Sequence, residues 1–479
     1  MRTIRWQQYA AIPEPLTAPA GGSTRGGLLL RCHFAGIRDD AAERAATDGP
    51  VARARSNTHG LTAPAPGAGS FKDRGGLDNQ GAVFQQKAVM LLHNVFRLLN
   101  RIRRAPAMTV RISLLFASTL LLAAAPARAA DPAVQAPAET PASYPYIEGT
   151  LDLELGHDWV FRSDDPANEI HDLYFTGNLG LKFVLTPIFS INTGLTLEAV
   201  EDPLPFEDRF FGDHGLYVDT LNLQADLGNF TFLLGKFGPG FGTAWDNTPG
   251  VFGTVFAEDY ELAEQLGFGA AYTFDAGDAG KHTLGANIFY ADNTFLSDSV
   301  FTRRGRNVVG NGGAGNTGRL DNVSVTLDGG EFAALPGFTY HLGYRHLSAG
   351  VTETADENGF VAGIAKETEL SNGVVLTVTG ELAYFTDAGG VVDDNALYAT
   401  AGLQLTRGPW HGELAATLRA LDIAGIGTQR DHIAQASIGY EFDNGIDISG
   451  GYAHVREADV NSHVLGLRLT KSFEFSTRN

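Results

Sequence analysis

Cysteine is almost missing from these 479 residues: Cys32 is the only one. One thiol forms no intrachain disulfide, so the chain is not one of the small exported domains held together by bridges. Methionine is nearly as scarce, with Met1, Met90 and Met108 and none afterwards. Past residue 130 there is no apolar run of the about 20 residues that a helical membrane span needs. Basic residues are also few there. Residues 131–479 hold 18 Lys+Arg against 48 Asp+Glu, a net of −30, whereas residues 1–130 hold 17 against 7, a net of +10. So acidic a body excludes nucleic acid as a partner, because phosphate binding draws on clustered Lys and Arg. Catalytic signatures are missing too: no Walker loop, HExxH, GxSxG or CxxC occurs. His341, His346 and His411 are scattered, without metal-ligand spacing. No cofactor and no metal is expected.

The basic and acidic parts are different objects. Residues 1–107 are rich in Gly, Ala, Pro and Arg with no sustained period, the mark of translated upstream sequence or of a disordered leader. Met108 then opens MTVRISLLFASTLLLAAAPARAADP, with Arg111 as positive start, Ile112 to Ala125 as apolar core and Ala127-Arg128-Ala129 as a small-x-small cleavage site. Residues 108–129 read as an export signal peptide and 130–145 as a Pro/Ala linker. A signal beginning at residue 108 leads to the expectation that translation starts at Met108, with Met90 as the alternative.

From Tyr146 the sequence alternates with period two. In Ile147–Leu155 the odd positions are Ile147, Gly149, Leu151, Leu153 and Leu155, and the even ones are Glu148, Thr150, Asp152 and Glu154. Sixteen such runs follow one another up to 463–475, with 322–334 and 359–369 the least regular. Links after even-numbered runs are short, such as 186–188 and 228–229. Links after odd-numbered runs are mostly longer, such as 202–215, 238–265 and 293–321. One greasy face, one wet face and a short-turn rim opposite a long-loop rim describe a transmembrane antiparallel β-barrel, all-β, over residues 146–475. Lipid offers the backbone no hydrogen bonds, so such a sheet must close on itself. Aromatic residues fall where the two interfaces would lie: Phe183, Tyr272, Trp410, Tyr440 and Phe473 near the short turns, Trp159 and Tyr384 towards the other rim.

With its last strand, HVLGLRLTKSFEF, closing on Phe475, the chain resembles the Gram-negative outer-membrane general porins. The resemblance rests on strand count and loop order. It implies a sixteen-stranded barrel in the cell outer membrane and a homotrimer. Lipid and lipopolysaccharide surround it, small hydrophilic solutes pass through it, and it is not an enzyme. It also implies an inward-folded third loop, which here is the Gly- and aromatic-rich stretch 238–265, and a latch to a neighbouring subunit at 202–215.

That loop supplies Asp246, Glu258, Asp259, Glu261 and Glu264 to a pore constriction, and strand parity aims Arg345, Arg419 and Arg468 at the same lumen. Acids on the loop opposite bases on the wall would set up a transverse field. The Arg303-Arg304-Arg306 cluster reads as a mobile solvated loop, with lipopolysaccharide phosphate as the other assignment. The function expected is passive diffusion with a cation preference. The alternatives are an outer-membrane enzyme on a lipase- or protease-like barrel and an adhesin or structural barrel. N-terminal sequencing of the exported protein is expected to begin at Ala130; a product retaining residues 1–107 would overturn the assigned leader.

Overall fold

The structure, a computed structural model, describes residues 143–478, so the leader, the signal peptide and most of the linker lie outside the described residues. Sixteen long strands form the wall. The first eight are β1 (Tyr146–Ser163), β2 (His171–Val184), β3 (Phe189–Ala199), β4 (His214–Leu227), β5 (Phe230–Phe237), β6 (Gln265–Asp275), β7 (Lys281–Ala291) and β8 (Asn322–Gly330). The rest are β9 (Phe338–Leu347), β10 (Glu357–Leu370), β11 (Val374–Thr386), β12 (Asn395–Arg407), β13 (Trp410–Ile423), β14 (Gly427–Glu441), β15 (Ile446–Glu457) and β16 (Val460–Ser476). Each pairs antiparallel with its sequence neighbours, and β1 closes the ring against β16, with Glu148 opposite Ser476. Two additional two-residue strands lie on the long-loop rim. Arg209–Phe210 runs parallel to β2, and Val300–Phe301 runs antiparallel to β4.

Alternation decides which way each side chain points. On β16, Leu465, Leu467 and Leu469 are exposed outside while Val464 and Arg468 are buried inside. On β13, Leu414 and Leu418 are exposed while Glu413, Thr417 and Arg419 are buried. The same division holds round the wall and leaves a continuous apolar exterior. Soluble monomers rarely expose a contiguous apolar patch beyond a few hundred Å². No helix among the described residues is long and apolar enough to cross a membrane. The expected sixteen-stranded antiparallel β-barrel is present.

The strand limits differ most in three places. β1 continues past Leu155 to Ser163, so the ordinary alternation carries Asp158 into the lumen, and a bulge follows only between Val160 and Arg162. The run 322–334 stops at Gly330, because Glu331 turns to φ 57° and 331–337 forms the link to β9. β14 begins at Gly427, so the link after β13 is only 424–426. The link 458–459 is also tight, with Ala458 and Asp459 both at positive φ, the geometry of a two-residue hairpin.

Leu467 sits mid-strand and outside, where hydrocarbon would surround it. Leu467→Arg is expected to lower folding stability in bilayers by about 2–4 kcal/mol, whereas the same change at a rim position costs about 0–1. Denaturant titration of the bilayer-inserted barrel measures the difference.

Candidate functional site: the inward loop

The connection 238–264 after β5 turns back inside the ring. Its first limb carries a four-residue helix, α1 (Ala244–Asn247), whose N-cap Thr243 makes no capping bond of its own. The wall supplies the cap. Glu381 of β11 accepts the Thr243 N–H at 2.7 Å, the Ala244 N–H at 3.1 Å and the Thr243 hydroxyl at 2.9 Å. Those are orphan donors that a helix start must satisfy. The Tyr260 hydroxyl donates to the same carboxylate at 2.7 Å and ties down the returning limb. His341 accepts the Gly242 N–H at 3.0 Å, and Gln435 donates to the Pro249 carbonyl at 3.0 Å.

Apolar contacts carry the rest. Phe241, Ala257, Tyr260 and Leu262 pack on Val361, Phe385 and Tyr398. Val251, Phe252 and Phe256 pack on Val160, Ile433, Val455 and Val464. Burying each of the three loop phenylalanines contributes roughly 2 kcal/mol. These lumen-side apolar residues blur the alternation in 359–369: Phe360 and Ile364 point out, and Val361 points in under the loop. Close approach needs bare backbone. A Cβ on Gly402 would stand 2.4 Å from Pro249, and one on Gly466 would stand 2.5 Å from Phe252. These glycines lie mid-strand on the lumen parity, a signal readable in sequence but not recognised as a seat.

The three arginines are brought to the loop, each already paired. Arg419 donates to Asp259 at 2.7 Å and to Asp431 at 2.8 Å, and its guanidinium meets Glu457 at 2.5 Å, with its plane 4.3 Å from the Phe256 ring centre. Arg345 binds Glu357 at 2.7 Å and the Tyr260 carbonyl at 2.7 Å. Arg468 binds Asp158 at 2.7 Å and lies 3.2 Å from Glu154, a distance for charge pairing without hydrogen-bond alignment. The bases therefore touch their acids instead of facing them across open water. Parity found the arginines; their partners Asp158, Glu357, Asp431 and Glu457 escaped notice because they stand at strand ends or beyond the expected limits.

The loop acids separate into classes. Asp259 belongs to the Arg419 cluster and also accepts from Tyr398 at 3.0 Å. Glu258 accepts from Thr254 at 2.8 Å, and Glu261 is half-buried. Glu264 is an anchor at the loop's end: Lys236 holds it at 2.8 Å and Arg304 at 2.8 and 2.5 Å. Arg304 thereby fastens the loop after β7 to the inward loop, and Arg303 pairs with Asp298 while Arg306 donates to the Asn293 carbonyl. Asp246 has no hydrogen bond or ion pair to its carboxylate among the described residues, and burial pushes its pKa up to about 6. The stretch 202–215 folds back on its own barrel through a two-pronged Arg209–Asp172 pair at 2.7 and 2.6 Å. Apart from the Lys236–Glu264 pair at its end, these contacts of the inward loop with the wall fall on β9 to β16 and β1. The other arc presents amides and hydroxyls, such as Asn192 bonded to Asn222 and Gln224, and Asn287 bonded to Ser324, alongside the carboxylates Glu198, Asp219 and Asp226.

No family model matches the chain, and no curated protein matches it. Solved structures do. It is similar to the outer membrane channel DcaP of Acinetobacter baumannii, at 11% identity over 68% of this chain and 96% of that one, with a TM-score of 0.45. It is similar to OprB of Pseudomonas putida at 12% identity over 69% and 94%, with a TM-score of 0.48. OccK8 (OprE) of Pseudomonas aeruginosa matches at 12% identity over 69% and 98%, with a TM-score of 0.41. Function is read from the geometry of the barrel itself.

Gly466→Leu puts a branched side chain where Phe252 sits and is expected to lift the loop from the wall. Limited proteolysis of the folded barrel should then cut within 238–264, which resists in the parent. Equal resistance in both proteins would show that the loop does not depend on that seat.

Proposed function

We propose that the chain is an outer-membrane porin, a water-filled channel through which small hydrophilic solutes and ions diffuse passively, with preference for cations. One observation carries this reading: a closed sixteen-strand ring, apolar outside and polar inside, narrowed by its own third loop. Apolar outside suits lipid, and a polar lumen suits hydrated solutes. The loop, with Asp246, Glu258, Asp259 and Glu261, forms the constriction in this reading, and Glu264 holds its end. Around Arg345, Arg419 and Arg468 stand six carboxylates: Asp158, Glu154, Asp259, Glu357, Asp431 and Glu457. Acids outnumber bases there even after pairing, which supports the cation preference that a −30 body suggests. The homotrimer and the Sec-exported outer-membrane location belong to the same proposal.

The enzyme alternative finds little support in the Ser/His/carboxylate group around His411 in the lumen. His411 is gripped by Glu413 and Asp447, and the hydroxyls of Ser437 and Ser449 donate to those carboxylates instead of to the imidazole. A nucleophile needs its base within hydrogen-bond reach.

Liposomes carrying the refolded barrel are expected to swell in isotonic sugar, and reversal potentials in planar bilayers should show cation selectivity. No swelling would end the pore reading; anion selectivity would end only the charge assignment. Charge reversal at Asp246, Glu258, Asp259 or Glu261 should shift selectivity more than reversal within 293–321. Asp246 adds a pH signature. Its carboxylate is charged above pH about 6 and neutral below, so cation preference should weaken as pH falls through that value. Asp246→Asn should flatten that step.

A further inference from the structure

Apart from its end, the inward loop leans on β9 to β16 and β1, which leaves the opposite arc of the lumen to the solute. There β2, β3 and β4 carry a column of polar side chains on their inner faces. From Glu198 to Ser190 on β3 it runs roughly 27 Å, at about 3.4 Å per residue. Thr196 donates to Asn178 at 3.0 Å and to Asp219 at 2.7 Å. Nearer the short-turn rim, Asn192 donates to Asn222 and to Gln224, both at 2.9 Å. Gln224 donates to both oxygens of Asp226, at 2.9 and 2.8 Å, and Thr231 of β5 donates to the same carboxylate at 2.9 Å.

The direction of these bonds is forced. An ionised carboxylate only accepts. Gln224 therefore turns its NH2 to Asp226 and its carbonyl oxygen to Asn192. Asn192 must then give its NH2 to Gln224, and its own buried carbonyl oxygen has no hydrogen-bond partner among the described residues. Asn287 of β7 gives its NH2 to Ser324 of β8 at 3.0 Å and likewise keeps a buried, bare carbonyl oxygen. The arc is short of donors.

Its charge points the same way. Asp219 is the extra residue of a bulge in β4, opposite Gly194 and Leu195, and a Cβ on Gly194 would stand 1.9 Å from its carboxylate. The bulge re-aims that side chain, and the bare glycine makes room for it. Neither Asp219 nor Asp226 has an ion pair among the described residues, unlike the carboxylates around Arg345, Arg419 and Arg468. Glu198, at the long-loop end of the column, accepts from Tyr217 at 2.6 Å. Bases on this arc are mostly taken. Lys236 meets Glu264 and Asp292, both at 2.8 Å, and Arg304 meets Glu264 at 2.5 Å. Lys182 stands beside Glu148 and Asn192 in register without bonding the bare Asn192 oxygen. The two unpaired aspartates outweigh it.

We infer that this column selects hydroxylated amines, the chemistry of amino sugars, from among the cations that the pore admits. The inference rests on the pore reading proposed for the barrel and on its cation preference. Ammonium N–H groups suit Asp219 and Asp226, and hydroxyl donors suit the bare carbonyl oxygens of Asn192 and Asn287. A neutral sugar forgoes the charge, and an alkyl amine leaves the amide oxygens unfilled. An anion meets no unpaired guanidinium on this arc among the described residues.

Two measurements on the full barrel test this. Proteoliposomes loaded with glucosamine and N-acetylglucosamine report efflux at neutral pH, where glucosamine is largely cationic. Bi-ionic reversal potentials in planar bilayers compare glucosammonium with cyclohexylammonium, a six-membered ring without hydroxyls. Glucosamine should leave roughly tenfold faster than its acetylated form, and glucosammonium should be the more permeant of the two ammonium ions. The double variant Asp219→Asn, Asp226→Asn should bring the efflux ratio close to equality. Asn192→Leu with Asn287→Leu should abolish the ranking of the ammonium ions. A control pair, Asp278→Asn and Asp393→Asn, both exposed on links between strands, removes the same charge and should keep the parent's ratio. Conductance in potassium chloride shows that each variant has assembled, and the parent's own ratios decide the inference where a variant has not. Equal efflux of the two sugars, a more permeant cyclohexylammonium, or a double variant with the parent's ratio overturns the inference. So does a control pair that loses the ratio as fully as the double variant. A barrel that conducts without discriminating removes only this inference, and absence of any conductance removes the function it rests on.

Discussion

Every strand of this protein's wall has a partner on both sides, and that single condition governs the rest. An unpaired edge presents a row of backbone donors and acceptors that water or another chain must satisfy. In hydrocarbon nothing satisfies them, so a spanning sheet has to be a ring. β1 meets β2 on one side and β16 on the other, and the loop-spanning β7–β8 pair keeps the ring intact across the 30 residues of 292–321. Once the ring exists, the pleat sorts side chains into an outside and an inside with no further instruction. Leu467 and Arg468, adjacent in sequence, end in opposite solvents.

Inside the ring a second constraint takes over. A loop folded into a lumen must satisfy its own backbone and bury its own apolar groups, because it has left bulk water. The wall has adapted to this. Glu381 caps a helix too short to cap itself, glycines clear space for Pro249 and Phe252, and Val361 and Phe385 offer grease on a face that would otherwise be polar. The arginines act in the same way. Removing Arg419 would leave Asp431 buried and Asp259 and Glu457 crowded beside it, a loss of about 3–5 kcal/mol for a buried pair. Charges that look from sequence like opposing plates of a field are, in the folded chain, rivets between loop and wall, with surplus acid left over.

Much of this was legible before the fold was known. Period two gave the strands, and loop order placed the inward loop after β5. Parity sent Arg345, Arg419 and Arg468 to the lumen. The limits were missed where local geometry departs from the repeat. β1 runs on eight residues past Leu155, which hid Asp158, and positive φ at Glu331 cut β8 short. The blurred run 359–369 is a strand whose inner face was altered to receive the loop, a cause that lies more than a hundred residues away in the chain.

The sequence by itself determined the architecture, because alternation, turn spacing and acidity are properties of near neighbours and of sums. Only the tertiary structure decided which charges meet. Glu264 stands among the loop acids in sequence but belongs to Lys236 and Arg304 in space, while Asp246 is left without a described partner. Arg468 and Asp158 stand at opposite ends of the barrel sequence and meet only because closure brings the last strand beside the first. Contacts across a closed sheet depend on register and ring closure, and no local pattern encodes either one alone.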